Sequence, residues 1–140
     1  MIHVYHHTFT VPREAIDGHG HANNVFYVQW MQDAAVSHSK KSGCTQVTES
    51  LGATWIVHSH RIKYFLPAFL NDQINVLTWV SHFRRVRSLR KYKFVRVADG
   101  AVLAEGETDW VFVDAKSAGP RVIPDEIKTV LKAVPVDKEP

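Results

Sequence analysis

One cysteine, Cys44, excludes an internal disulfide and fits a reducing cytoplasm, the expected location. No apolar run approaches the roughly 18 residues that cross a bilayer. The opening Met-Ile-His-Val-Tyr-His-His lacks the charged-then-apolar pattern of a secretion signal, so no membrane partner is expected. Repeats, linkers and low-complexity tracts are also missing, and the 140 residues read as one domain, 1–140. There is no cysteine pair and no His-Glu-x-x-His helix. His58 and His60, two apart on a strand, are expected to share a face, but a metal needs three or four converging ligands. Neither metal nor cofactor is expected. Charge is nearly balanced, with a net value of +3. The exception is Arg84, Arg85, Arg87, Arg90, Lys91 and Lys93, all within ten positions. Such a cluster suits a phosphate-bearing partner; the alternative is a solvated strand edge. No nucleic-acid motif with interleaved aromatics accompanies it, so nucleic acid is not the expected partner.

Hydrophobic residues make up 45% of the chain, enough to bury a core, and their spacing changes along it. His3 to Val11 reads as a strand that stops at Pro12. Next comes Ile16 to Tyr27, where one carboxylate, two histidines, two glycines and two asparagines precede a helix. Asp17 is the only acid between Glu14 and Asp33. Gly18 and Gly20 allow a tightly shaped loop, and Asn23 or Asn24 is a good N-cap. The helix is expected from Val25 to about Lys41, with an apolar stripe of Tyr27, Trp30, Met31, Ala34, Ala35 and His38. Gly43 is its expected stop, and Thr45 to Leu51 forms further helical turns. An acid beside a donor-rich helix start can attack a carbonyl or deprotonate water while the helix end steadies an oxyanion. The plainer reading is a surface turn with an ordinary cap.

Beyond this point the period is two. Strands are expected at Trp55–Phe65, Ile74–Phe83, Leu89–Val97 and Val102–Val113, with a two-residue hairpin at Asp99-Gly100. Ala104 and Gly106 share a face with Thr108, Trp110 and Phe112, where a close neighbour is expected. Ile127–Ala133 is expected to close the chain as a short helix after Pro124. The class is α+β, with an antiparallel sheet burying one face against the early helix.

Asp17-Gly-His-Gly20-His21-Ala-Asn23-Asn24-Val-Phe-Tyr27 resembles the motif of hotdog-fold acyl-CoA thioesterases of the 4-hydroxybenzoyl-CoA thioesterase type. Tyr64-Phe-Leu-Pro67-Ala68-Phe-Leu-Asn-Asp72 is similar to that family's Tyr-x-x-Pro-Ala-x-x-x-Asp turn. Ala104-Glu-Gly106 through Val113-Asp114 is a third, less specific match. The three matches fall in the family's order, and the resemblance covers roughly Tyr5 to Asp125. The resemblance implies a hotdog fold, in which a five-stranded antiparallel sheet wraps one long central helix. It implies homodimers with sites at the interface, many of which pair into homotetramers. It also implies acyl-CoA as substrate, hydrolysed to free acid and coenzyme A. By the family match, Asp17 is the catalytic base or nucleophile, and the backbone N–H of Asn24 is the oxyanion donor. His21 matches a histidine used by plant acyl-carrier-protein thioesterases of this fold, and it either orients Asp17, meets substrate or braces the loop. Tyr27 is expected to pack in the first helical turn, with its hydroxyl able to line the acyl pocket, and the family match sets Arg84, Arg85 and Arg87 at the coenzyme A phosphates, the alternative being a plain solvated turn. One departure is Ala15, where many relatives carry a second Asp; another is His19, where the plant enzymes have Asn. The alternatives are an acyl-carrier-protein thioesterase and a non-catalytic acyl-CoA-binding protein. Cys44 has no evident base partner and is expected to be a small core residue.

Overall fold

The computed structural model describes residues 3–140. Strand β1 is Tyr5–Thr10, and helix α1, Val25–Ser42, is followed directly by α2, Cys44–Ser50. The remaining strands are β2 at Ala53–Tyr64, β3 at Gln73–Arg84, β4 at Arg87–Arg96 and β5 at Val102–Asp114, and α3 spans Asp125–Leu131. The five strands form one antiparallel sheet in the order β1-β3-β4-β5-β2. β1 begins at Tyr5 rather than His3, because its pairing with β3 starts at Tyr5↔Thr78.

Along α1 the buried side chains are Tyr27, Trp30, Met31, Ala34, Ala35 and His38, the stripe that the 3.6-residue period demands. Gly43 ends the helix at φ 90°. A left-handed C-terminal residue is where glycine carries no Cβ penalty, and the backbone then re-enters helix as α2 instead of leaving the layer. The sheet presents its inner face to these helices. On β5 that face carries Ala104, Gly106, Thr108, Trp110 and Phe112. A Cβ on Gly106 would stand 2.9 Å from Met31 Sδ, so the helix and sheet meet closely there.

Two buried apolar clusters result. Tyr27, Trp30, Met31, Ile74, Val76, Tyr92 and Phe94 belong to the first, under α1. Cys44, Ala53, Val80, Phe112, Ile123, Ile127 and Leu131 form the second, under α2 and α3.

Three local expectations are corrected. The hairpin at Asp99-Gly100 has a four-residue loop, Val97–Gly100, since the Arg96 N–H donates to the Ala101 carbonyl. Asp99 accepts from the Ala101 N–H at 3.0 Å, which stabilises the wider turn. A bulge on β2 lies between Val57 and Ser59, with His58 as the extra residue. Burial on β2 therefore runs Trp55, Val57, then His60 and Ile62, which puts His58 and His60 on opposite faces. Finally, Arg90 does not join a surface cluster. It is 4% exposed, on the inner face of β4 with Ser88, Tyr92 and Phe94.

Candidate active site

The loop before α1 is pinned at several points. Ile16 and Ala22 form an isolated antiparallel bridge. The Ala22 N–H donates to the Ala68 carbonyl and the Asn23 N–H to the Ala15 carbonyl, both at 2.8 Å. Within the loop the Gly20 N–H donates to the Asp17 carbonyl, with Gly20 at φ 84°, a conformation open to glycine at no steric cost. Asp17 is half-buried, and its Oδ1 accepts from the His19 N–H at 2.9 Å. Among the described residues no cation pairs with this carboxylate, and Oδ1 alone is engaged.

The cap is provided by Asn23, whose Oδ1 accepts from the Val25 N–H at 3.1 Å. Asn24 already has helical dihedrals and makes no side-chain cap bond. Its own N–H finds no acceptor among the described residues, as the first donors of a helix do unless something outside supplies one. The side chain of one asparagine thus fixes the turn, and the next residue offers a free backbone donor.

The segment after β2 holds the other side of this region. Tyr64 donates its hydroxyl to the Asn24 carbonyl at 3.3 Å. Arg96 donates to the Pro67 carbonyl and to Asp72 Oδ2, at 3.2 and 3.1 Å, and Asp72 Oδ2 also accepts from the Phe69 N–H. Around this fixed turn Tyr64, Phe65, Leu66 and Phe69 remain between 43% and 51% exposed. They form an apolar rim beside the helix start.

His21 is half-buried and stacks on His19 with ring centroids 6.0 Å apart. Its Nδ1 lies 3.4 Å from the Ala22 carbonyl, and no hydrogen bond joins its ring to Asp17 among the described residues. Tyr27 is 2% exposed and packs edge-on against Trp30, Tyr64 and Phe94. Burial pushes its hydroxyl up to about 12, so it stays protonated at any working pH.

The basic turn is elsewhere. Arg85 and Val86 connect β3 to β4, with Arg85 at φ 33° and its carbonyl accepting from the Ile123 N–H. Arg84 and Arg85 are exposed, and neither forms an ion pair among the described residues. Arg87 is engaged with Asp109 at 2.8 Å. Thr10 pairs with Gln73, so the Asp17 loop leaves the sheet at the start of β3, whereas Arg84 is its last residue. Eleven strand steps separate them, about 36 Å of path. One chain therefore does not bring its carboxylate and its arginine turn together.

A cavity of about 400 Å³ opens at the arginine end of β2, between α1, α2 and the sheet. Sequence reasoning had not identified it. The Ser88–Arg90–Tyr92–Phe94 alternation was the available signal that a cation faces inward. No three His, Cys, Asp or Glu side chains converge on a metal position among the described residues, and no helix is long and apolar enough to cross a membrane.

Comparison with known proteins matches residues 11–131 to the Thioesterase-like superfamily. No curated protein matches the sequence. Among solved structures, the chain is similar to YbaW, a probable thioesterase from Escherichia coli, at 19% identity and TM-score 0.84, covering 91% of this chain and 96% of that one. It is similar to Slr0204, a 1,4-dihydroxy-2-naphthoyl-CoA thioesterase from Synechocystis, at 18% identity and TM-score 0.81, covering 91% and 95%. The hypothetical protein SAV2348 from Staphylococcus aureus, solved in complex with CoA, gives 18% and 0.82 over 93% and 82%. These likenesses establish the hotdog fold. The match over most of its length places the chain in the thioesterase-like superfamily, as a thioester hydrolase.

Proposed function

We propose that this protein hydrolyses acyl-CoA thioesters, as one hotdog domain whose sheet wraps α1 as its central helix. The observation that carries the reading is the pairing of a cation-free carboxylate, Asp17, with an unclaimed N–H, Asn24, on one pinned loop at the start of α1. Asp17 attacks the thioester carbonyl or deprotonates the water that does. The developing oxyanion accepts from the Asn24 N–H, in line with the positive end of the helix dipole. Where water attacks, the C–S bond breaks, the thiolate takes up the proton that Asp17 removed, and free acid and coenzyme A leave together. Where Asp17 attacks, coenzyme A leaves first, protonated from solvent, and water then hydrolyses the acyl-Asp17 anhydride to release the acid. His21 braces the loop through its stack on His19. Tyr27 shapes the wall behind the acyl group. Arg84 and Arg85 are free to meet phosphates with paired N–H donors, with Arg87 secondary because Asp109 already holds it.

The separation of carboxylate and arginines supports a homodimer. β2 ends the sheet with an unpaired edge, and Ile56, Tyr64, Phe65 and Leu66, on or just after it, are exposed apolar residues. Two β2 edges joined by a two-fold axis run antiparallel, so the Tyr64 end of one copy meets the Ala53 end of the other. That arrangement carries Asp17 of one copy toward the cavity and arginine turn of its partner.

The test is thiol release from short, long and aryl acyl-CoAs by wild type and Asp17→Asn. A fall of orders of magnitude in the folded mutant is expected. Equal rates would remove Asp17 from the mechanism, and no release by wild type would shift the reading to carrier-protein thioesters or to binding.

A further inference from the structure

The chemistry above leaves one buried cation without a role. Arg90 is 4% exposed. Its Nη1 donates to His38 Nδ1 at 2.9 Å and to Thr78 Oγ1 at 3.1 Å, both neutral acceptors. No carboxylate pairs with it among the described residues. A desolvated charge normally has an opposite charge beside it, because solvation is expensive to lose. Here burial draws the guanidinium below its usual range, and His38 is held neutral, pushed down to about 3 by burial and by Arg90 itself.

Arg90 lines the cavity of about 400 Å³ together with Ala35, Cys44, Trp55, Trp110 and Leu131. The walls are mostly apolar with a few Ser and Thr hydroxyls, and the charges at the rim, Lys40 and Glu49, are exposed and of opposite sign. Inside that rim the lining offers the hydroxyls of Thr48 and Ser88 and the buried positive charge of Arg90, and no carboxylate. A void of this size with a few placed polar groups has the character of a ligand pocket. Its mouth includes Ala53, Thr54 and Trp55 of the β2 end that, in the antiparallel dimer, faces the partner's Asp17 loop.

We propose that Arg90 receives a carboxylate at the far end of the acyl group, so that thioesters of dicarboxylic acids are the substrate class of this site. The inference rests on the thioester-hydrolysis reading. Arg favours a carboxylate over a hydroxyl or ketone because its planar fork donates two parallel bonds to it.

Three six-carbon substrates test it: adipyl-CoA, its methyl ester and hexanoyl-CoA. Wild type is expected to show kcat/KM about 10–100-fold higher for adipyl-CoA than for either of the others, the range of one hydrogen bond to a charged group. Arg90→Gln should bring the adipyl-to-hexanoyl ratio near one. Equal wild-type rates for all three would overturn the proposal while leaving thioester hydrolysis standing, and this comparison needs no variant to fold. If wild type cleaves none of them, hydrolysis fails separately. Tryptophan fluorescence, reporting through Trp55 and Trp110, then decides the pocket. A saturable response to free adipate, absent with hexanoate, chloride or inorganic phosphate, supports the carboxylate site. No response, or an equal one to the simple anions, overturns it.

Discussion

Replacing Gly106 with Ala probes the contact that seats α1 on the sheet. The added Cβ would lie 2.9 Å from Met31 Sδ and 3.3 Å from the Arg61 carbonyl oxygen. Met31 is 0% exposed, so its thioether cannot swing into solvent, and the carbonyl belongs to the paired strand β2. Gly106 is not at positive φ, so alanine meets no backbone strain. Overpacking of this kind costs about 1–3 kcal/mol, and restricting the unfolded chain returns about 0.4–1 kcal/mol. A net loss of about 1–2 kcal/mol is expected, or roughly 3–6 °C in Tm for a chain of this size. Met31 is in the second turn of α1, so the displacement reaches the Asn24 N–H, and the rate on acyl-CoA should fall as well. Urea unfolding of wild type, Gly106→Ala, Met31→Ala and the double mutant measures the cause directly. If Met31 is the obstacle, the alanine at 106 costs less, or stabilises, once residue 31 is shortened, with a coupling of about 1 kcal/mol or more. Additive effects, or a Gly106→Ala protein as stable as wild type, would refute the argument.

Acid stability should carry the signature of His38. Its folded-state value is about 3, below the unfolded 6.5, so between those limits the unfolded chain binds a proton that the folded chain refuses. The contribution is complete above pH 6.5 and is lost as pH falls toward 3, at up to ~1.4 kcal/mol per pH unit. His38→Gln keeps an acceptor for Arg90 and should flatten that slope in urea titrations between pH 6.5 and 4; an unchanged slope would rule out His38 as its source. At the arginine turn, Arg84→Ala with Arg85→Ala should raise KM for acyl-CoA about tenfold, by loss of charge-assisted bonds. The same pair should leave the corresponding pantetheine thioester unaffected, and Arg87→Ala should act more weakly. Equal losses on both substrates would mean that the turn does not meet the nucleotide phosphates.

Much of the architecture could be read from spacing because its causes are local. The stripe from Tyr27 to His38 specified the buried face of α1, and Gly43 its end. Period two specified the strands to within two or three residues. The small residues of β5 marked the place where Met31 lies on Gly106. The Asp17 loop could be found because glycine, asparagine and a single acid are rare in that combination. Which asparagine caps could not, since Asn23 and Asn24 are equally good caps by type. Tertiary hydrogen bonds from Ala22 to Ala68 and from Asn23 to Ala15 choose between them. The bulge at His58 was equally hidden, because an extra residue in a strand leaves no compositional mark.

Arg90 separates what can be read from what cannot. Six cations in ten residues look like one surface patch when counted by composition. The alternation that makes β4 a strand already divides them, since Ser88, Arg90, Tyr92 and Phe94 must share a face, and two aromatic rings on it identify that face as the inner one. Arg84 and Arg85 stay at the turn, Arg87 turns to Asp109, and Arg90 goes inside. That much follows from period two. The absence of an acid beside Arg90 does not, because its neutral acceptors are 12 and 52 positions away in the chain and only the packed structure brings them together. A buried arginine among neutral acceptors does little for stability by itself, since its desolvation is not offset by an ion pair. Placed in the wall of an open cavity, it is better explained by a ligand that supplies the missing charge than by the needs of the fold.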